Sequence, residues 1–525
     1  SDVGLRIVIS QEWLTVHVDL PSLLRTLLSV DKDSQSASAG VLEVVFRDCV
    51  RLVSRGIPWL RKHRSVSLFD DRLFVFSRSV PDCRKLSIGS SRPGRRLDLE
   101  TWWFDLLRTA VLHCHETDEM LLTAEGSSTC EAVRRAAELF GKPRLHFRPI
   151  GRGMLDTGHA TLQWLTTSLE YLERVDFGGG SSATIQTLVS PPICSAMLPS
   201  AIRRHSSNVT EQCSREVPLA DQLLVAASDR TYVISLRKHG YFQSLLESWL
   251  REPENPPQCI LIASDAGGQL PEATRDLPAG WIPWLVEASE RQAIQADNST
   301  RPRQTHGSQM LMREGYLIPT LRRPGLIVGP VRDPIANPED WLLHWTRPAT
   351  GPWPDESPDD YLDALILRTE RAQRSALATL LQIVADGVLR GSATGIRGGY
   401  PVVSLTAVPL SEFCRRRTFR SHLQRFDFEP WGIGFRRSSI ADVVREVSYG
   451  TESDWDELPH QDRPFFQKAT TGGATNNVAE REWRVLNELV FQKLPADDVC
   501  LFAPTQQDAQ LLALHCRWRI VITPS

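Results

Sequence analysis

The stretch AEREWRVLNELVF, near the C-terminus, alternates charged with apolar residues. In a strand successive side chains point to opposite faces. That puts Glu480, Glu482 and Arg484 on one face, with Trp483 and Val485 turned the other way into a core. Far upstream, WLLHWT supplies His344 and Thr346, and PVVSLTAVPLSE supplies Ser404 and Thr406, each pair two residues apart on a strand. Such residue types can perform glycosidic chemistry. A carboxylate stabilises the positive charge of an oxocarbenium-like state and orients an incoming hydroxyl. An imidazole on a rigid strand hydrogen-bonds a ribose hydroxyl. Serine and threonine hydroxyls hold a sugar or an amide. Arg484 either fixes one carboxylate or binds a phosphate bidentately. Glu482, central in its strand, is the expected catalytic carboxylate. A structural reading stands beside this one: an ion network of Glu480 and Glu482 with Arg484 or Arg436, a histidine satisfied in a core or at its rim, and ordinary strand hydroxyls. A metal-dependent nuclease is the weaker alternative, because no clear set of spaced Asp/Glu ligands is present. No metal is expected.

The elements that must position these residues follow in order. DWLLHWTRP reads as a strand. SALATLLQIVADGVLRGS reads as a helix with an apolar stripe at i, i+3, i+4, ending near Gly387. GGYPVVSLTAVPLSEF reads as a strand, a turn at Pro409 and a helix start with Glu412. DFEPWGIGFRR and the EREWR stretch read as two further strands. Together they predict an α+β domain over 341–525. The ordered signature is His344-x-Thr346, then Asp386-Gly387-x-Leu389, Ser404 through Glu412, Trp431 through Phe435, and Glu480 through Arg484. It resembles a group of uncharacterised bacterial abortive-infection-type domains, which look distantly like the ADP-ribosyltransferase fold. The resemblance implies that His344 and Glu482 grip NAD, as substrate, and steer its cleavage with Ser404. It places Thr346, Thr406, Trp431 and Arg484 along the bound NAD. The pattern departs from that fold at the middle stacking position, where Trp431 or Tyr449 stands in for a tyrosine.

The first half reads as α/β. DEMLLTAEGSSTCEAVRRAAELFGKPRLHFRP is strand, turn, helix, strand. Gly126 lies in the turn, Ser127, Ser128 and Thr129 are N-cap candidates, and Gly141 and Pro143 stop the helix. Short units of this kind favour parallel strands with a right-handed crossover. The helix N-terminus can hold a phosphate, although many such loops bind nothing. DQLLVAASDRTYVISLRKHGYFQSLLESWLREPENPPQCILIASD reads as strand, turn at Asp229, strand, a helix after Gly240, and strand. These segments resemble the Rossmann-like SLOG/lysine-decarboxylase-like proteins, which implies binding of a nucleotide derivative at Gly126–Thr129. The chain departs in lacking their glycine-rich run, so ligand sensing rather than nucleotide cleavage is expected.

Before these segments, LRIVIS, LTVHV and RLFVFSRSV read as strands. GVLEVVFRDCVRLVSRGIPWL and LETWWFDLLRTAVLHCH read as helices. Residues 178–218, with GGGSS at 178–182, read as a long surface loop, and 288–310 as a linker. The expected organisation is a Rossmann-like α/β region with a parallel sheet over 1–287, a connecting segment over 288–340, and the α+β domain over 341–525.

Composition bounds the function. The chain has 525 residues, a net charge of −3, 41% hydrophobic and 23% charged residues. That is an ordinary globular balance, with no global pull toward nucleic acid or an anionic membrane. No apolar run approaches the roughly 18–20 residues of a span, and no secretory signal pattern is present. Ten scattered cysteines without a CxxC point to reduced thiols and a cytoplasmic location. His113-Cys114-His115 is the one local metal-like cluster, and neighbouring residues point in different directions. The run CRRRTFRSHLQRF, read as helical, is either a solvated surface or a contact for nucleic acid or phosphate. The combined expectation is a bacterial defence or stress effector: a nucleotide-type small molecule is sensed by the first region, and an NAD-cleaving or ADP-ribosyl-transferring domain acts on a protein or nucleic-acid target. The alternative is a non-enzymatic ligand- or protein-binding regulator.

Overall fold

The computed structural model describes residues 71–94, 96–151, 154–177, 184–194, 217–251, 259–265, 268–285, 338–410, 429–469 and 480–523, with shorter pieces at 6–8, 16–17, 41–46, 49–55, 57, 59, 69, 327–328, 412, 419–420 and 425–426. The chain divides into two compact units. One comprises Ser1–Ser308 with Ser357–Arg368, and the other Gln309–Glu356 with Thr369–Ser525. The expected linker at 288–310 and the GGGSS loop lie outside the described residues.

The first unit is built on twelve strands: β1 (Arg6–Val8), β2 (Val16–His17), β3 (Val41–Phe46), β4 (Cys49–Arg55), β5 (Leu73–Phe76), β6 (Arg84–Gly89), β7 (Glu119–Ala124), β8 (Arg144–Pro149), β9 (Thr184–Val189), β10 (Arg230–Val233), β11 (Cys259–Ala263) and β12 (Trp281–Trp284). They form one sheet in the order β12-β11-β10-β6-β7-β8-β9-β5-β4-β3-β1-β2. The block from β12 to β9 is parallel. From β9 to β2 the pairing is antiparallel. Strands covered on both faces read as unbroken apolar runs, and every residue of β5 and β7 is buried. Among the described residues six helices belong to this unit: α1 (Thr101–Leu112), α2 (Cys130–Leu139), α3 (Gly158–Phe177), α4 (Leu219–Ala227), α5 (Tyr241–Arg251) and α6 (Pro358–Leu367). α4 packs Leu223 and Leu224 with Phe74, Leu122 and Phe147, and α3 packs Leu165 and Leu169 with Leu73, Val75 and Leu188. The two clusters use alternate residues of the same strands, so the sheet is covered on both sides.

α6 starts at a capping box. Ser357 Oγ accepts from Asp360 N at 3.1 Å, the Asp360 carboxylate accepts from Ser357 N at 3.2 Å, and Pro358 takes the first helical position. Arginines of α2 hold it, Arg134 on Asp359 and Arg135 on the buried Asp363. From α1, Arg108 Nη1 donates to the Ile366 carbonyl at 2.6 Å.

Three expectations are corrected here. GVLEVVFRDCVRLVSR is the β3–β4 hairpin, not a helix, with Phe46 paired to Cys49. Five valines lie in this stretch, at 41, 44, 45, 50 and 53, and β-branching favours the extended chain. DQLLVAA lies in α4, not a strand. Its apolar run is buried on nearly all sides between sheet and α5, and such a run does not declare its period. Within the expected loop 178–218, Thr184–Val189 forms β9, a largely buried strand between β8 and β5.

The second unit carries β13 (Ile327–Val328), β14 (Trp341–Trp345), β15 (Val388–Arg390), β16 (Val402–Thr406), β17 (Phe419–Arg420), β18 (Arg425–Phe426), β19 (Gly432–Arg436), β20 (Val444–Glu446), β21 (Ser448–Gly450), β22 (Phe466–Lys468), β23 (Glu482–Leu486), β24 (Glu488–Val490), β25 (Val499–Ala503) and β26 (Arg519–Ile522). Eight of these make a mixed sheet in the order β13-β26-β25-β19-β14-β16-β23-β20. One face packs on α7 (Ala376–Asp386) and α8 (Gln506–Ala513) through Leu342, Val403, Leu405, Ile433, Val485 and Leu501. The other gathers Trp341, Leu343, Cys500 and Phe502. α7 ends as its sequence dictates, with Gly387 in the left-handed region at φ 66°. The run CRRRTFRSHLQRF does not form one helix: its described residues are the paired strands β17 and β18. The whole is an α/β protein with a large, mostly parallel sheet and a second, mixed one. Among the described residues no helix is long and apolar enough to cross a membrane.

Candidate functional site

Strand register decides which polar residues of the second unit can meet. Leu343 pairs with Thr406, Thr406 with Glu482, and Ser404 with Arg484. Ser404, Thr406, Glu482 and Arg484 therefore share the face of Leu343. His344 pairs with Ile433 and lies on the opposite face, with Leu405 and Val485. The imidazole and the carboxylate are thus on opposite faces of the sheet and do not enter a common hollow.

Each group has a partner in place. Glu482 and Arg484 form a bidentate pair, Nε to Oε1 at 2.9 Å and Nη2 to Oε2 at 3.0 Å. Arg484 Nη1 donates to the carbonyls of Pro464 (2.9 Å) and Phe466 (3.0 Å), and Nη2 also donates to Gln467 Oε1. All five guanidinium N–H groups are used, and the residue is 1% exposed. No donor is left for a phosphate. Glu482, 8% exposed, serves as the counter-charge that makes this burial tolerable. Arg481 has φ +46°, which ends the alternation, so Glu480 is not on the strand and its carbonyl accepts from Thr406 Oγ1 at 2.6 Å.

Thr346 is buried and its hydroxyl reaches the carbonyls of Ala376 and Trp431 at 3.1 and 3.0 Å. Ser404 is exposed. Its carbonyl accepts from His344 Nδ1 at 2.9 Å, which assigns the proton to Nδ1 and leaves Nε2 a lone pair in the neutral ring. Burial is the main cause holding the His344 pKa below its ordinary value, against the Ser404 carbonyl, with Arg347 adding to the depression. Trp431 is half-buried against the core. The Tyr449 hydroxyl lies 3.4 Å from Glu482 N, and burial raises its pKa.

In the first unit the strand order reverses between β6 and β10. From β6 the chain steps outward through β7, β8 and β9 on one side, then returns to lay β10, β11 and β12 on the other. Where such an order reverses, the loops leaving the carboxyl ends of the two central strands part and form a crevice. Here those loops follow Gly89 and Val233. They are tied at the base: Ile234 N donates to Gly89 O at 3.0 Å, Ser91 N to Ser235 O at 2.9 Å, and Arg237 N to Ser91 Oγ at 2.9 Å. The third loop, after β7, is tied to the first by Ser128 Oγ on Ser90 O (2.6 Å) and Thr129 Oγ1 on Ile88 O (2.7 Å). Gly126 turns this loop at φ +97°. Ser127 and Ser128 cap nothing, and the Ser127 hydroxyl oxygen is buried without a partner. Trp103 Nε1 fixes the buried Ser90 hydroxyl at 2.9 Å. A Cβ on Gly89 would stand 2.0 Å from the Phe242 ring, so only glycine lets α5 come this close to β6.

Above this hydroxyl-laced base the loops carry cations. Arg92 and Arg237 are exposed, and among the described residues no carboxylate pairs with either guanidinium. Lys238 is partnered by Glu272 at 2.8 Å. The arrangement suits a phosphate: backbone loops at strand ends, buried hydroxyls, and two arginines with open valence. His113, Cys114 and His115 assemble no site, since Cys114 is buried while both histidines are exposed, and no group of three metal-ligating side chains occurs among the described residues. Comparison with protein-family models, with curated proteins and with solved structures returned no match to the chain. The IGSSRPGRR loop was missed in the sequence, although its signal is plain: an apolar strand ending at glycine, then two serines and three arginines.

Proposed function

We propose that the protein is a ligand-binding regulator whose first unit, Rossmann-like in strand order, takes the phosphate of a nucleotide-type small molecule in the crevice between the β6 and β10 loops. One observation carries the reading: the strand order reverses between β6 and β10, and the loops leaving these two strands carry two exposed arginines with no carboxylate partner among the described residues. Arg92 and Arg237 would hold the phosphate, and the loop from Gly126 to Thr129 would border the same edge. The absence of a glycine-rich fingerprint favours binding over cleavage of the ligand. The chain is then a sensor of the non-catalytic kind, and Glu482 has a structural role.

The test is calorimetric titration of the full chain with ADP, ATP and ADP-ribose. The Arg92→Gln/Arg237→Gln variant is expected to bind at least tenfold more weakly, about 1.4 kcal/mol, with unchanged thermal stability. Equal binding by the variant would remove the assignment. Incubation with labelled NAD is expected to release no nicotinamide.

A further inference from the structure

A second recess lies in the other unit, on the sheet face that carries His344. It is a cavity of about 480 Å³ lined by Asp340, Arg436, Arg437, Ser438, Val444 and Trp483. That volume falls among those of small-molecule sites, roughly 300–1,000 Å³. Trp483 lies on the face opposite Glu482 and Arg484, half-buried against the core, and it lines the cavity. The Arg437 guanidinium stands over that indole, 5.7 Å from the ring centroid. Arg437 is exposed, and among the described residues no carboxylate pairs with it. Its neighbour Arg436 is fixed, stacked over Trp341 at 5.4 Å and bonded to Asp498 Oδ1 at 2.6 Å. The cavity thus offers an aromatic platform, an exposed guanidinium with no carboxylate partner among the described residues, a fixed positive charge, and the Asp340 carboxylate as an acceptor at its wall.

We infer that this recess binds a nucleoside monophosphate, its base stacked on Trp483 and its phosphate held by Arg437. Base stacking on an indole is tolerant of sequence and adds to the contact of a guanidinium with the same ring system. Arginine matches phosphate bidentately. Asp340 accepts from a ribose hydroxyl or an exocyclic amine. The site is independent of the crevice in the first unit and stands or falls separately.

Photolabelling of the full chain with 8-azido-AMP, followed by peptide mapping, tests it. Label is expected on peptides containing 437–444 or Trp483. Arg437→Gln, which alters an exposed side chain and should leave the circular-dichroism spectrum unchanged, is expected to reduce that label at least fivefold. Trp483→Leu is expected to do the same, and Arg92→Gln/Arg237→Gln to leave it unchanged. Label confined to peptides around residues 89–96 or 234–240, label insensitive to Arg437→Gln, or no label at all would overturn the proposal.

Discussion

Two places in the molecule, one in each unit, use charge in opposite ways. At Glu482 and Arg484 every donor is matched, the guanidinium is sealed, and the pair joins β23 to the backbone at Pro464 and Phe466. At the β6 and β10 loops the matching stops at the backbone and hydroxyl level, and Arg92 and Arg237 are exposed, with no carboxylate partner among the described residues. A buried polar group with a full set of partners has its free energy committed to the fold. A cation without a partner above a prepared base has interactions left to give. The difference teaches that the most chemically suggestive motif of the chain is sealed into the fold, while open cations lie in a serine- and arginine-bearing loop after β6.

The largest effect should come from breaking the sealed pair. Glu482→Ala strands a buried guanidinium, and urea denaturation is expected to show a loss of about 3–5 kcal/mol. If that variant unfolds like the parent, the pair is not structural and the contrast weakens. Next is Gly89→Val, which forces branched atoms into the Phe242 ring and is expected to cost about 1–3 kcal/mol while displacing the β6 loop, so nucleotide binding should fall with stability.

A pH-dependent effect of similar size separates two buried titrating groups of the first unit. Burial pushes the Asp221 carboxyl up to about 6, so its contribution is present at low pH and is lost as pH rises between about 4 and 6. Burial, aided by Arg144 and Arg148, pulls His146 down to about 4, so its contribution is present above about 6.5 and is lost as pH falls toward 4. The two oppose each other across the same window. Asp221→Asn is expected to leave the histidine uncompensated and to steepen the loss of stability on acidification from pH 6.5 to 4, by about 2–3 kcal/mol over that range. A denaturation series showing the same slope in parent and variant would contradict this. The smallest stability effect belongs to Arg92→Gln/Arg237→Gln, within about 0.5 kcal/mol, because both side chains are exposed.

Much of this architecture could be read beforehand. MLLTA, CILIA and LFVF are apolar runs bounded by turn residues, and α7 announces both its stripe and its stop at Gly387. The β3–β4 hairpin was legible in principle, from its density of β-branched valines, but the same residues also fit an amphipathic helix. DQLLVAA and TIQTLV were misread because burial on all sides, or a polar context, hides the period. The faces of the second sheet were beyond reach for a different reason. Whether His344 shares a side with Ser404 depends on the register of Leu343 against Thr406, set by packing across some 60 residues of chain, and a slip of one residue exchanges the faces. Spacing inside each strand says nothing about it.

One paired measurement tests the contrast most directly: urea denaturation and ATP titration on both Glu482→Gln and Arg92→Gln/Arg237→Gln. The account predicts that the first variant loses stability and still binds the nucleotide when folded, while the second keeps its stability and loses at least tenfold in affinity. Loss of nucleotide binding in folded Glu482→Gln, with unaltered binding in the arginine variant, would contradict it.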